Sequence, residues 1–484
     1  MGTDDLLEPV VVDGRHLRRG DVVRVARAGP PVHLHPAGRA RAAEAGDLAS
    51  RVATTRPIYG RSTGVGANRV EIVTADDPDH GLRLLRSHAS GAGAREPVER
   101  VRAMMIVRLN QLAAGGSGVD PRVLDALTTA LDTGAVPVVH QLGAIGTGDL
   151  TALAELALAL GGDRPWTSGT VPVASMTSGD ALAFISSNAA TIGESVLAQA
   201  DLDVLLRAGE VIAALSFLAL GGAAEAYGAP VQNARAHPGQ LLVATRMRRL
   251  LGLGPTSRAG RRLQDPFSLR AVPQVHGTAV DAVERLGVVL DVELNARAEN
   301  PLIDLATGDA WHNANFHTGY LAHALDSARA AVYPVAELSA ARLGDLVDPE
   351  FTGLAAFLAD GPAGSSGVMA LEYVAQDGVA SLRHTTLPAT LGSAVISRGL
   401  EDHASYSTHA ARLATVCAPA LRAVLATELV AAVRAIAMSG GLPGGHALAP
   451  AYEQARGVLR KDTRDRPLTE DLAAAGVLLD DLGA

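Results

Sequence analysis

Apolar residues recur at helical spacing along most of the chain, and the pattern predicts a mixed entry segment followed by helices of increasing length. Leu17-Arg18-Arg19-Gly20-Asp21-Val22-Val23 leads into a candidate helix, and residues 30–34 read as a brief extended piece. Helices are predicted over 82–89, 98–114 and 123–133. Residues 136–142 then run into the turn Gly143-Ala144-Ile145-Gly146-Thr147-Gly148. Asp149 stands as an N-cap for a helix over 150–160, which Gly161-Gly162 ends. After a looser, strand-prone patch at 165–178, long helices are expected over 193–227, 274–297, 317–345, 365–381 and 400–438. Most of these exceed the usual length of about 11–12 residues. Kinks are expected at Pro334 and Pro419. The expected division is an N-terminal region over 1–190, a central long-helix bundle over 191–440 and a more polar tail over 441–484.

Composition sharpens this to a mainly α class. Of 484 residues, 48% are hydrophobic and only 3% aromatic, so the core must be built from Ala, Leu and Val. Small side chains let long helices approach closely, and Ala and Leu are strong helix formers. A net charge of −9 supplies no basic field for nucleic acid. The single cysteine, Cys417, excludes an intrachain disulfide framework and reads as a packed core thiol. Residues 1–8 are acidic where a signal peptide needs a basic region. The apolar stretch 211–223, bounded by Glu210 and Glu225, is too short to span a bilayer and reads as a core helix. A soluble, cytoplasmic protein is expected, with no membrane and no nucleic-acid partner. His312, His317 and His403 are scattered, so no metal site is expected.

Two glycine-rich segments stand apart. The loop 57–68, Pro-Ile-Tyr-Gly-Arg-Ser-Thr-Gly-Val-Gly-Ala-Asn, is either a loop held for a purpose or an ordinary mobile connection. In the turn before Leu150, three glycines within six residues free the backbone, and the following helix aims its N–H groups and positive end at it. That arrangement suits stabilising a developing negative charge. No lysine follows the last glycine, which excludes a P-loop.

Seven segments, in order over roughly residues 17 to 440, resemble the histidine and phenylalanine ammonia-lyase family. They are Tyr59-Gly60 with Thr63-Gly64-Val65-Gly66, Ser87-His88-Ala89-Ser90-Gly91, His237-Pro238-Gly239-Gln240, the run from Leu263 through Gln264-Asp265-Pro266-Phe267-Ser268-Leu269-Arg270 to Val275, Glu299-Asn300-Pro301-Leu302, Asn315-Phe316-His317 and Glu401-Asp402-His403. The resemblance implies a long-helix bundle of the ammonia-lyase (fumarase/aspartase-like) type with a small mixed N-terminal region. It also implies a homotetramer with active sites shared between subunits, acting on a small-molecule amino acid or carboxylate. Such proteins need no external cofactor. They cyclise an Ala-Ser-Gly tripeptide to a methylidene-imidazolone (MIO) electrophile.

Here the matching stretch is Gly146-Thr147-Gly148-Asp149-Leu150, with no Ala-Ser-Gly. Cyclising it and dehydrating Thr147 would leave a hindered ethylidene; otherwise Thr147 is an unmodified turn residue. By resemblance, Tyr59 is the base for the substrate's β-proton, and Arg270 clamps a carboxylate bidentately. Gln264 and Phe316 line the pocket, and His88 and Glu401 contact an imidazole ring. Phe267 replaces a family tyrosine, and Ser186 replaces an asparagine that supports the electrophile. Asn188, two residues on, is expected to point elsewhere on a helix. Three readings follow: a lyase or aminomutase with an electrophile from Gly146-Thr147-Gly148, a prosthetic-group-free elimination, cyclisation or isomerisation enzyme, and a non-catalytic carboxylate-binding homologue.

Overall fold

The computed structural model describes residues 7–73, 77, 79–254 and 260–484; the acidic start of the chain lies largely outside them. Helix accounts for 60% of it and strand for 6%. Among the described residues the strands form only two-stranded pairs, so no sheet there makes a core. Helices useful below are α1 (Val98–Ala113), α2 (Leu150–Leu160), α3 (Ser178–Ile185), α4 (Ala189–Leu220), α5 (Val272–Leu294), α6 (Gly319–Val347) and α7 (Ser407–Met438).

The long helices match the sequence expectation in place and type, with shifted ends. Gly221-Gly222 stops α4 at Leu220 rather than 227, because Gly221 adopts a left-handed φ of 62°. The helix expected at 365–381 runs Ala370–Thr385, and α7 starts at Ser407 rather than 400. The helices around Pro334 and Pro419 continue through both prolines. The strand-prone patch at 165–178 yields only the strand Trp166–Ser168. Helices Pro36–Ala53, Pro238–Leu250 and Thr469–Leu482 were not anticipated.

The chain divides into two compact units. The first holds residues to Ala198 with Leu286–Leu325 and Pro388–Arg412; the second holds Gln199–Arg285, Asp326–Leu387 and Leu413–Ala484.

In the first unit α1 is the pillar. Every residue from Val101 to Ala113 is buried, so the helix has no solvent face, and its polar side chains must find partners inside. Arg108 does so by pairing with Glu299 at 3.0 Å and donating to the carbonyls of Phe184 (2.8 Å) and Ala183 (2.6 Å). Gln111 accepts from the Ser187 hydroxyl at 2.6 Å. One buried helix thus fixes the end of α3 and the turn that follows it. In α2, Ala152–Leu160 are likewise buried, and Glu155 bonds the His140 ring (2.7 Å) and Arg164 (2.9 Å). That anchors the strand His140–Leu142 just ahead of the glycine-rich turn.

The second unit is packed around an internal ion pair. Arg342 grips Glu428 with two hydrogen bonds of 2.6 and 2.9 Å, and Ser216 donates to the same carboxylate at 2.6 Å. Cys417 is buried there, 2.9 Å from the Thr385 hydroxyl, in line with a core thiol. Among the described residues α7 alone is long and apolar enough to cross a membrane; 72% of its apolar window is buried in protein.

Candidate active site

Two helix starts hold the turn 146–149, and a third braces one of them. Gly148 N–H donates to Asn188 Oδ1 at 3.1 Å, directly before α4. Ser405, two residues before α7, donates its hydroxyl proton to the Gly146 carbonyl at 2.9 Å, and Tyr406 N–H donates to the Ile145 carbonyl at 2.8 Å. Thr318, directly before α6, bonds Ser407 Oγ at 2.6 Å. α2 leaves from the turn itself. Helix N-termini carry partial positive charge, so their gathering makes the turn a favourable place for negative charge. Gly146 (φ 87°) and Gly148 (φ 116°) both need the freedom of glycine.

Two sequence expectations are corrected here. Asp149 occupies the N-cap position of α2, but its side chain makes no cap bond. It points away and accepts from the Thr191 amide (2.7 Å) and the Thr191 hydroxyl (2.8 Å). Burial pushes its pKa up, against the opposing effect of those bonds and of Arg412. Asn188 does not point elsewhere on a helix: α3 ends at Ile185, so residues 186–188 are a turn that presents Asn188 to Gly148. Its amide also donates to the Phe316 carbonyl at 2.6 Å. Ser186 instead receives the Asn300 N–H at 3.0 Å.

Thr147 faces a cavity of about 730 Å³ lined by Tyr59, His88, Gly148, Leu182, Ser186, Asn300, His312, Phe316 and Glu401, among others. All of its lining belongs to the first unit. Tyr59 Oη accepts the Gly66 N–H at 2.7 Å, while its own N–H donates to His312 Nε2 at 3.1 Å. Ala67 N–H donates to Ser397 Oγ at 2.9 Å. The loop 57–68 is therefore hydrogen-bonded into place around the tyrosine. Burial raises the Tyr59 pKa above 10.0; Glu401 adds to the rise, and Gly66 N–H and Arg69 oppose it. Burial also holds His312 below the usual imidazole range, which suits the Nε2 acceptor role.

His88 Nδ1 lies 2.9 Å from the Leu84 carbonyl, which can only accept, so Nδ1 carries a proton and Nε2 is the ring nitrogen left for a ligand. Of the residues expected in the site, Gly146 sits behind the cavity wall. Gln264, Phe267 and Arg270 line a different cleft, of about 540 Å³, in the second unit. Among the described residues Arg270 makes no ion pair: its guanidinium stacks over Phe267 at 4.3 Å and its Nε has no hydrogen-bond partner. The segment at His237–Gln240 also falls in the second unit, where Gly239 packs against Gly277. Arg69 was not named from sequence, His312 was weighed only as a metal ligand, and Asn300 was given no role of its own. Asn300 sat inside a matching segment; the other two carried no signal that spacing could reveal.

The buried long-helix scaffold, the glycine turn among its helix starts and the loop tyrosine on the adjoining cavity go with membership of a carbon–nitrogen lyase family. The chain belongs to the aromatic amino acid lyase family, whose sequence model matches residues 17–457. It is 35% identical to a histidine ammonia-lyase of Symbiobacterium thermophilum, covering 96% of both chains. Its structure matches ergothionase from Treponema denticola, solved in complex with desmethyl-ergothioneine sulfonic acid, with a TM-score of 0.90 and 25% identity over 98% of this chain and 99% of that one. It matches tyrosine aminomutase from Streptomyces globisporus with a TM-score of 0.89 and 27% identity, over 98% and 97% of the two chains.

Proposed function

We propose that this protein is an amino-acid lyase or aminomutase whose electrophile is made from Gly146-Thr147-Gly148. The observation that carries the reading is the pairing of Gly148 N–H with Asn188 Oδ1 at 3.1 Å, beneath a Thr147 that faces the cavity. Ring closure needs that amide nitrogen to become a nucleophile, and an acceptor on its proton favours this. Glycines at 146 and 148 remove the side chains that would obstruct the approach. The residues present therefore fit a self-made imidazolone-type group, which would supply an electrophilic carbon for the substrate's amine or ring.

Tyr59 acts as the base for the proton β to the carboxylate. The side chain of the substrate lies toward His88 and Glu401. Glu401 offers a carboxylate, and a neutral His88 that donates from Nδ1 to Leu84 offers Nε2 as a second acceptor. Two acceptors favour a ring bearing N–H groups over a plain phenyl ring.

Arg270 clamps the carboxylate from another copy of the chain, in a homotetramer with shared sites. The unpaired guanidinium, set beside Leu263 (94% exposed) and Phe267 (69% exposed), supports a surface completed by association.

Intact mass tests the reading. A chain two waters lighter than its sequence, with new near-ultraviolet absorbance, is expected. A full-mass chain would sink the Thr147 electrophile and leave prosthetic-group-free chemistry based on Tyr59.

A further inference from the structure

We propose that Ser405 is the residue that drives closure of the ring, and that its hydroxyl is the reason residue 146 is glycine. This rests on the reading of Gly146-Thr147-Gly148 as the electrophile's precursor. The Gly146 carbonyl oxygen is the atom on which negative charge develops when the Gly148 nitrogen adds to its carbon. The Ser405 hydroxyl donates to that oxygen at 2.9 Å. Ser405 Oγ in turn receives the Ser407 N–H at 3.3 Å and lies 3.4 Å from the Thr318 hydroxyl. A hydroxyl that accepts is a better donor, and this one is only 4% exposed, where a single hydrogen bond to developing charge counts for more.

The same oxygen excludes a side chain at residue 146. A Cβ built on Gly146 would lie 2.1 Å from Ser405 Oγ and 2.8 Å from Ser407 N. The hydroxyl thus occupies the space an alanine would take, which ties the Gly-Thr-Gly sequence to the serine that faces it.

The chemistry balances within the chain. The Gly148 nitrogen bonds to the Gly146 carbon, and its proton passes toward the Gly146 oxygen. That oxygen leaves as water with the Thr147 amide proton. The second water takes the Thr147 hydroxyl and the Thr147 Cα proton, leaving the exocyclic double bond. Ser405 supplies only a hydrogen bond.

The test follows intact mass over time after a short induction, in the full-length chain and its variants, with circular dichroism confirming the fold. Ser405→Ala should slow appearance of the two-water deficit roughly 100-fold, the usual cost of removing one oxyanion donor. Ser407→Ala removes a neighbouring buried hydroxyl that makes no hydrogen bond to the Gly146 carbonyl and should mature well ahead of Ser405→Ala. Should Ser405→Ala not fold, Ser405→Cys keeps the volume with a poor donor and should also mature slowly. If Ser405→Ala or Ser405→Cys loses both waters as fast as wild type, the role of Ser405 is overturned while the electrophile stands. Equal arrest in Ser407→Ala would overturn it too, since packing alone would then explain the loss. Wild-type protein at full mass overturns the electrophile and this inference together.

Discussion

The phenol oxygen of Tyr59 accepts the Gly66 amide proton at 2.7 Å, so the loop that carries the proposed base also carries a donor to it. Burial and Glu401 raise the Tyr59 pKa, and Arg69 works with the Gly66 amide to lower it. The phenolate is the active form of a base, so activity should rise with pH on the alkaline side. Glu401→Gln removes a negative neighbour, which lowers the Tyr59 pKa and should move that limb to lower pH. Arg69→Gln should move it to higher pH. The position of the limb in kcat/KM profiles, rather than its height, is the readout, and an unmoved limb in both variants would remove Tyr59 as the titrating base.

Gly146→Ala should destabilise the chain by about 2–5 kcal/mol, from a side chain at positive φ and overpacking against Ser405. Ser405→Ala should recover part of that loss, so the double variant is expected to be less unstable than the two changes added together. Denaturant unfolding of the four proteins checks it; simple additivity would mean that the contact is absent.

Arg108→Met should cost about 3–5 kcal/mol, because it strands the buried carboxylate of Glu299. Arg108 also holds the carbonyls at the end of α3, ahead of Asn188. Slower loss of the two waters is therefore expected even in the fraction that folds. Unfolding curves and intact mass report the two effects separately.

Tyr59 and Arg270 lie in different units, and Arg270 does not line the Tyr59 cavity. If copies of the chain share sites, Tyr59→Phe and Arg270→Lys should each be inactive, yet regain part of the wild-type rate when co-expressed. Homogeneous variants that stay inactive after mixing would place both residues in one subunit's site or exclude one from it.

Much of the scaffold was legible because long apolar periodicity leaves few alternatives to helix, and Leu150–Leu160 falls where the pattern places it. The site was legible in pieces. Tyr59, His88, Thr147, Ser186, Phe316 and Glu401 line one cavity. Asn188 was misread, because helical spacing was extended past Ile185, where the chain turns instead.

By itself the sequence determined the class of fold, the glycine turn and the types of side chain available to it, since these depend on local periodicity and residue chemistry. Tertiary structure alone decided that Asn188 and Ser405 grip the turn, that Asp149 turns its carboxylate to Thr191, and that Arg270 is absent from the cavity. Residues 146 and 405 are 259 positions apart, and Gly148 and Asn188 are 40 apart. No local pattern encodes such meetings. They arise from the buried helices that bring distant helix starts to one point.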